Sequence, residues 1–115
     1  YSHPEFASVS EEERKRQLTT SFSWLEDTLC VKEKLFSFPY TDFSISDHFF
    51  RWMHNDLGVQ MSFGTAGIKH EKYRQHFQRI AMEHPHLKSA RSILKEEYAY
   101  YRLKSLVGKN RITRR

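Results

Sequence analysis

The sequence predicts an all-α domain: a small bundle of about four helices with a helical hairpin at its centre. Three observations predict this fold. Apolar residues recur at steps of three and four over residues 66–107, Pro85 interrupts that pattern, and a helix-start signal lies near Ser10. With 115 residues, the chain is expected to form one helical domain, in which residues 1–9 are an extended lead-in and residues 109–115 a basic tail.

The predicted hairpin turns at His84-Pro85-His86. Proline has no backbone N–H and disfavours helical geometry in the residue before it, so Pro85 is expected to end one helix and open the next. Gly108 is expected to close the second helix, because glycine readily adopts the left-handed conformation. The two helices are predicted to pack through an apolar stripe, and truncating a buried Phe77 to Ala is expected to cost about 3–5 kcal/mol. The stripe consists of Phe77, Ile80, Leu87, Leu94 and Tyr98.

A first helix is predicted from about Glu11 into the low thirties. Ser10 and Glu13 have the spacing of a capping box, in which the serine side chain accepts a hydrogen bond from a free N–H of the first turn. Apolar residues then recur at helical spacing and predict its core face. They are Leu18, Phe22, Leu25 and Leu29.

The middle of the chain is predicted to hold one shorter helix. Residues 37–45 are aromatic but aperiodic and are expected to form a loop packed over the core. Ser46 or Asp47 can cap the helix, and Leu57-Gly58-Val59 is a helix-stop signal. Residues 59–67 are compatible with a short extended piece or with a loop. Residues 55–60 also resemble the turn of a helix-turn-helix, although His54 stands where that motif usually has a small residue.

The charge of the chain is its main functional signal. A net charge of +5 and a pI near 9.4 suit an anionic partner such as nucleic acid or an acidic protein surface, although the same charge can serve solubility alone. Helical spacing predicts two basic ridges that can follow a phosphate backbone, beside tyrosines that can stack on unpaired bases. The alternative is that the tyrosines are core residues and the lysines form a solvated face. The ridges are Lys69, Lys72, His76 and Arg79, and Lys88, Arg91, Lys95 and Arg102.

These patterns predict a nucleic-acid-contacting accessory or structural subunit of a larger complex, with DNA and RNA both open. The predicted nucleic-acid-binding residues are Lys69, Lys72, Arg79, Lys88, Arg91, Lys95, Arg102, Arg111, Arg114 and Arg115. The alternative is a protein–protein interaction subunit or adaptor without nucleic-acid contact, which would use exposed apolar side chains. Its partner-binding residues would be Trp24, Leu35, Tyr100 and Leu103.

No catalytic, cofactor-binding or metal-binding motif stands out. The seven histidines have no cysteine pair or carboxylate at ligand spacing, so neither a metal nor a cofactor nor enzymatic activity is predicted. Cys30 is the single cysteine, which favours an intracellular, reducing compartment. A first residue of Tyr1 fits an excised fragment or a processed product, such as one that has lost an organellar targeting segment. No apolar run has membrane-spanning length, so no span is predicted.

Overall fold

The structure is a computed structural model that describes residues 6–83 and 89–115. Within these ranges, three α-helices accompany a three-stranded parallel β-sheet, so the all-α prediction is wrong. The elements in chain order are α1 (Glu11–Leu29), β1 (Leu35–Ser37), α2 (Asp47–Arg51), β2 (Met61–Gly64), β3 (His76–Gln78) and α3 (Ala90–Leu106). A π-helical turn, Trp52–Asp56, directly continues α2.

The first two helices begin where the sequence predicts. The Ser10 hydroxyl accepts a hydrogen bond from the Glu13 N–H at 3.2 Å, and the Ser46 hydroxyl accepts one from the Phe49 N–H at 3.1 Å. Both serines therefore satisfy an N–H that the helix itself leaves free. Helix α1 ends where Cys30 turns into the left-handed region, at φ +55°.

The helix stop at Gly58 is also confirmed. Gly58 has a φ of +77°, and the following Val59 N–H donates to the Met53 carbonyl at 3.0 Å, which closes the π-helical turn. The chain then enters β2 and not a second helix. The helix-turn-helix alternative is therefore wrong, because the position of a recognition helix holds a strand.

The sheet has the order β1-β2-β3, and both neighbouring pairs are parallel. Phe36, Ser62 and His76 are register partners across the three strands, and Phe63 pairs with Phe77. Of the two alternatives left open for residues 59–67, strand β2 is the extended piece. Strand β1, by contrast, reaches Ser37, at the start of the predicted loop.

The predicted hairpin is not formed. Residues 66–83 contain β3 and irregular backbone instead of a helix. Each residue of a helix gains only tenths of a kcal/mol from propensity, so pairing of β3 with β2 and the buried contacts of His76 outweigh the helical pattern. Helix α3 and its stop at Gly108, where φ is +68°, are confirmed. The turn at His84-Pro85-His86, together with Leu87 and Lys88, lies outside the described residues.

The core lies between the sheet and the layer formed by α1 and α2. The Phe38 ring packs against Phe6 at a centroid distance of 5.8 Å and against Phe50 at 5.4 Å. Phe77, which the sequence places in the core, is half exposed. The buried cluster consists of Phe6, Leu18, Phe22, Phe38, Ile45, Phe49, Phe50, Met53 and Val59.

Candidate functional site

A chain of buried polar side chains crosses the covered face of the sheet. Ser62 on β2 and His76 on β3 are register partners, so both side chains point to that face. The Ser62 hydroxyl and His76 Nδ1 are hydrogen-bonded at 2.7 Å, and His76 Nε2–H donates to Asp42 Oδ2 at 2.9 Å. Asp42 lies in the loop after β1. The three side chains are thus hydrogen-bonded in the same order, hydroxyl to imidazole to carboxylate, as the residues of a catalytic triad.

Burial argues against Ser62 as a nucleophile. Ser62 is 0% exposed, His76 3% and Asp42 2%. A reacting atom would have to approach to about 3 Å from the hydroxyl, and no surface leads to it. The Ser62 oxygen also lies 3.2 Å from His54 Nε2, while the other ring nitrogen of His54 contacts the Val59 carbonyl at 2.9 Å. The arrangement is a hydrogen-bonded core network that joins β2 and β3 to the loop after β1.

Two ionisable members of this network have shifted pKa values. Burial lowers the pKa of His54, because the charged imidazolium would lose its hydration. For Asp42, burial raises the pKa, but hydrogen bonds from His76, Arg114 and Gln78 outweigh it and hold the pKa well below its usual range. Asp42 is therefore an anion inside the protein.

Arg114 supplies the counter-ion. Its guanidinium donates to Asp42 Oδ2 at 2.5 Å, to the Asp42 carbonyl at 2.8 Å and to Glu71 Oε2 at 2.6 Å. The same group lies 3.9 Å above the Phe50 ring, a cation–π contact. Its side chain is 1% exposed. Predicted as a nucleic-acid contact, Arg114 is instead engaged entirely within the protein.

Asp42, Glu71 and His76 form the group of described residues whose atoms are spaced like metal ligands. One ligand atom from each lies within 4.8 Å of the others. The Arg114 guanidinium, however, bonds both carboxylates and takes the position that a cation would occupy. One guanidinium thus already bridges the two carboxylates, and the group carries no argument for a metal.

The opposite face of the sheet is open and apolar. Leu35 is 49% exposed, Met61 40% and Phe77 47%, and the half-buried Phe63 lies beside Phe77 at a ring distance of 6.0 Å. We call Leu35, Met61, Phe63 and Phe77 the open sheet face. Parallel sheets normally have both faces covered, so this surface is unusual for a strand arrangement of this kind.

Helix α3 presents a basic and aromatic surface. Ile93 is the buried residue of the helix, and Tyr101 ties it to the body through a 2.9 Å hydrogen bond to the Ala66 carbonyl. A shallow, open depression of about 590 Å³ lies along one side of the helix, and the described residues that line it all belong to α3. We call its lining residues the α3 groove: Arg91, Leu94, Lys95, Tyr98, Ala99 and Arg102.

The remaining predicted basic residues are scattered. Lys72 pairs with Asp47 at 2.8 Å, and the Arg79 guanidinium donates to the carbonyls of Gly64 and Phe38, each at 3.0 Å. The ridge expected on a helix over residues 66–83 therefore does not form, whereas Arg91, Lys95 and Arg102 of the second ridge lie together along α3. Lys69 is half buried after β2, and Arg111 and Arg115 are exposed near the end of the chain.

The predicted partner-binding residues are all exposed but lie on separate elements. Trp24 projects from α1, Leu35 belongs to the open sheet face, and Tyr100 and Leu103 lie on α3. Sequence reasoning missed the buried network of Asp42, His54, Ser62 and His76, and its placement of His76 on a basic ridge is wrong because His76 is buried. The one sequence signal of this network is the alternation of Met61-Ser62-Phe63-Gly64, which is typical of a strand.

Comparison with protein-family models, with curated protein sequences and with solved structures finds no match to this chain. Across residues 6–83 and 89–115, no helix has the length and apolar character needed to cross a bilayer.

Proposed function

We propose that this chain is a structural, protein-docking unit of a larger α/β assembly. In this proposal, an amphipathic helix of a partner protein packs on the open sheet face. The observation that carries the proposal is a parallel sheet with helices on one face and exposed apolar side chains on the other. Sheets of this kind are covered on both faces by helices, so an apolar helix face is the complementary surface.

The composition of the open sheet face is more typical of a binding surface than of apolar residues that are exposed by chance. Single exposed apolar residues are ordinary, but here Leu35, Met61, Phe63 and Phe77 lie on three paired strands and are contiguous. Completing the burial of each side chain would contribute on the order of 1 kcal/mol. Among the paired strand positions on this side of the sheet, Ser37 is polar and none is charged, which fits a largely apolar partner surface.

The experiment compares M61Q/F77Q with F43Q. Phe43 is 78% exposed and lies in the loop before α2, outside the open sheet face, so F43Q is the matched control. We expect the wild type and F43Q to bind an apolar fluorescent dye and to self-associate with rising concentration in sedimentation velocity. M61Q/F77Q should lose most of both while keeping its circular dichroism spectrum. Unchanged dye binding and association in M61Q/F77Q would overturn the proposal.

A second candidate function rests on the α3 groove. Arg91, Lys95 and Arg102 border the exposed Tyr98 ring, an arrangement that suits a phosphate backbone with a base stacked on the tyrosine. We propose nucleic-acid contact through this groove as the alternative to protein docking. The absence of catalytic activity and an intracellular, reducing location stay predictions.

A further inference from the structure

A pocket of about 210 Å³ lies at the carboxyl ends of β1 and β2. Its walls come from residues 41–43 after β1, residues 65–69 after β2, and residues 111–113 near the end of the chain. The carboxyl ends of parallel strands are where α/β sheets characteristically bind ligands, because the loops that follow neighbouring strands meet there. The pocket is separate from the open sheet face and from the α3 groove.

The third wall is held in place by backbone pairing. The His70 N–H donates to the Asn110 carbonyl at 2.8 Å, and the Ile112 N–H donates back to the His70 carbonyl at 3.0 Å. The buried Arg114 anchors the same segment through its ion pairs with Asp42 and Glu71. Lys69 and Arg111 are therefore next to hydrogen-bonded backbone positions, and the pocket they line is preformed.

The charged side chains of this pocket that have no ion pair among the described residues are positive. Lys69 and Arg111 both line it, and neither has an ion pair with any residue in the described ranges. Asp42 is the carboxylate of the lining, but its Oδ2 accepts from His76, Gln78 and Arg114, and its Oδ1 accepts from the Thr65 N–H at 3.3 Å. Two cations without an ion pair in the described part of the chain thus line the pocket beside a carboxylate whose oxygens already accept four hydrogen bonds.

Hydroxyl groups complete the lining. The Thr113 hydroxyl has no hydrogen-bond partner among the residues that the structure describes, so it is free to donate to a ligand. An anion in this pocket would receive charge-assisted bonds from a lysine and an arginine together with a hydroxyl bond. That combination is typical of protein sites for phosphate and carboxylate groups.

We propose that this pocket binds a small oxyanion, a phosphate, sulfate or carboxylate group, between Lys69 and Arg111 with Thr113 as a further donor. The volume accommodates such a group with a small part of the molecule that carries it. This site is independent of the proposed docking function, because it uses neither the open sheet face nor its residues.

Titration calorimetry of the full chain at constant ionic strength tests the site, with inorganic phosphate, glycerol phosphate, sulfate and acetate as probes. We expect one binding event per chain for at least one probe, weakened at least tenfold by K69M and by R111Q. K109M is the matched control, because Lys109 is an exposed lysine of the same segment outside the pocket, and it should bind as the wild type does. Tighter binding of glycerol phosphate than of free phosphate would identify a phosphate carried on an organic molecule.

Amide chemical shifts of the wild type give a readout that does not depend on the variants folding. Phosphate should perturb residues 41–43, 65–69 and 111–113 and leave α3 unchanged. Equal weakening by K69M, R111Q and K109M would overturn the site, as would perturbations spread over the whole basic surface. Either result would mean that the anion only screens charge.

Discussion

The Arg114 guanidinium binds the carboxylate of Asp42, a residue 72 positions earlier in the chain, at 2.5 Å. Both side chains are almost completely buried. This ion pair joins the last stretch of the sequence to the loop that follows β1, and through His76 it reaches the middle of the sheet. The buried network and the end of the chain therefore form one unit.

The first prediction concerns loss of that cation. R114Q should lower the free energy of unfolding by about 3–5 kcal/mol, because Asp42 and Glu71 would remain buried without a counter-ion. R114K should recover only part, since lysine cannot form the paired bonds or stack on Phe50. R115Q is the control, because Arg115 is exposed. Urea denaturation measures all three, and equal effects of R114Q and R115Q would contradict the assignment.

The second prediction concerns acid. Burial raises the pKa of Glu11, but hydrogen bonds from His48, Ser46 and Lys15 outweigh it and lower the pKa to about 2, and the pKa of Asp42 is depressed as well. A depressed carboxyl pKa contributes stability that is complete above the unfolded value, near 4, and is lost as the pH falls through the folded value. The free energy of unfolding should therefore fall steeply below about pH 4.5.

The variant D42N distinguishes the contribution of Asp42 to the acid sensitivity from that of Glu11. It should be less stable than the wild type at pH 7, because Arg114 loses one of its two carboxylate partners, and its free energy of unfolding should depend less on pH below about 4.5. D56N is the control, because Asp56 is exposed and should leave the profile unchanged. Denaturation at a series of pH values gives both slopes. An acid profile of D42N as steep as that of the wild type would rule out Asp42 as a source.

The third prediction corrects the position of the core. F38A should cost about 3–5 kcal/mol, because Phe38 is fully buried, whereas F77A should cost less than about 1.5 kcal/mol because nearly half of Phe77 already contacts solvent. Both substitutions remove the same ring, so the pair is internally matched. Thermal and urea melts of the two variants provide the comparison. Similar losses would mean that the face of β3 is assigned incorrectly.

The fourth prediction tests nucleic-acid contact. In R91Q/K95Q/R102Q, the salt dependence of binding should flatten by about 0.9 log–log units per lost contact on duplex DNA and about 0.7 on single strands. K32Q/R74Q/K109Q removes the same charge from exposed positions outside the α3 groove and serves as the control. Fluorescence anisotropy with single-stranded RNA, duplex RNA and duplex DNA at several salt concentrations measures the effect. If both triple variants lost nucleic-acid binding equally, the α3 groove would not be a specific binding surface.

Local signals in the sequence predict the ends of helices well. Ser10, Ser46, Gly58 and Gly108 each act within a few residues, through a side-chain cap or a positive φ, and all four take the predicted role. Such contacts depend little on the rest of the molecule, which is why they can be recognised from spacing alone.

The strands could not be predicted in the same way. A three-residue strand such as β3 shows barely one alternation, and the spacing of Tyr73, Phe77 and Ile80 fits a helix equally well. Pairing with β2 decides the outcome, and that pairing is between distant parts of the chain. The buried network is hidden for the same reason, because Asp42 and His76 lie 34 positions apart and share no motif.

The long separation between Asp42 and Arg114 also sets an order of events during synthesis. At translation rates of about 5–20 residues per second, the carboxylate waits roughly 4–14 s for its guanidinium to be made. During that interval Asp42 lacks its guanidinium partner, so closure of the nascent α1 and α2 layer over the sheet is less favourable than in the complete chain. Full stability of this core is therefore expected only after residue 114 has emerged from the ribosome.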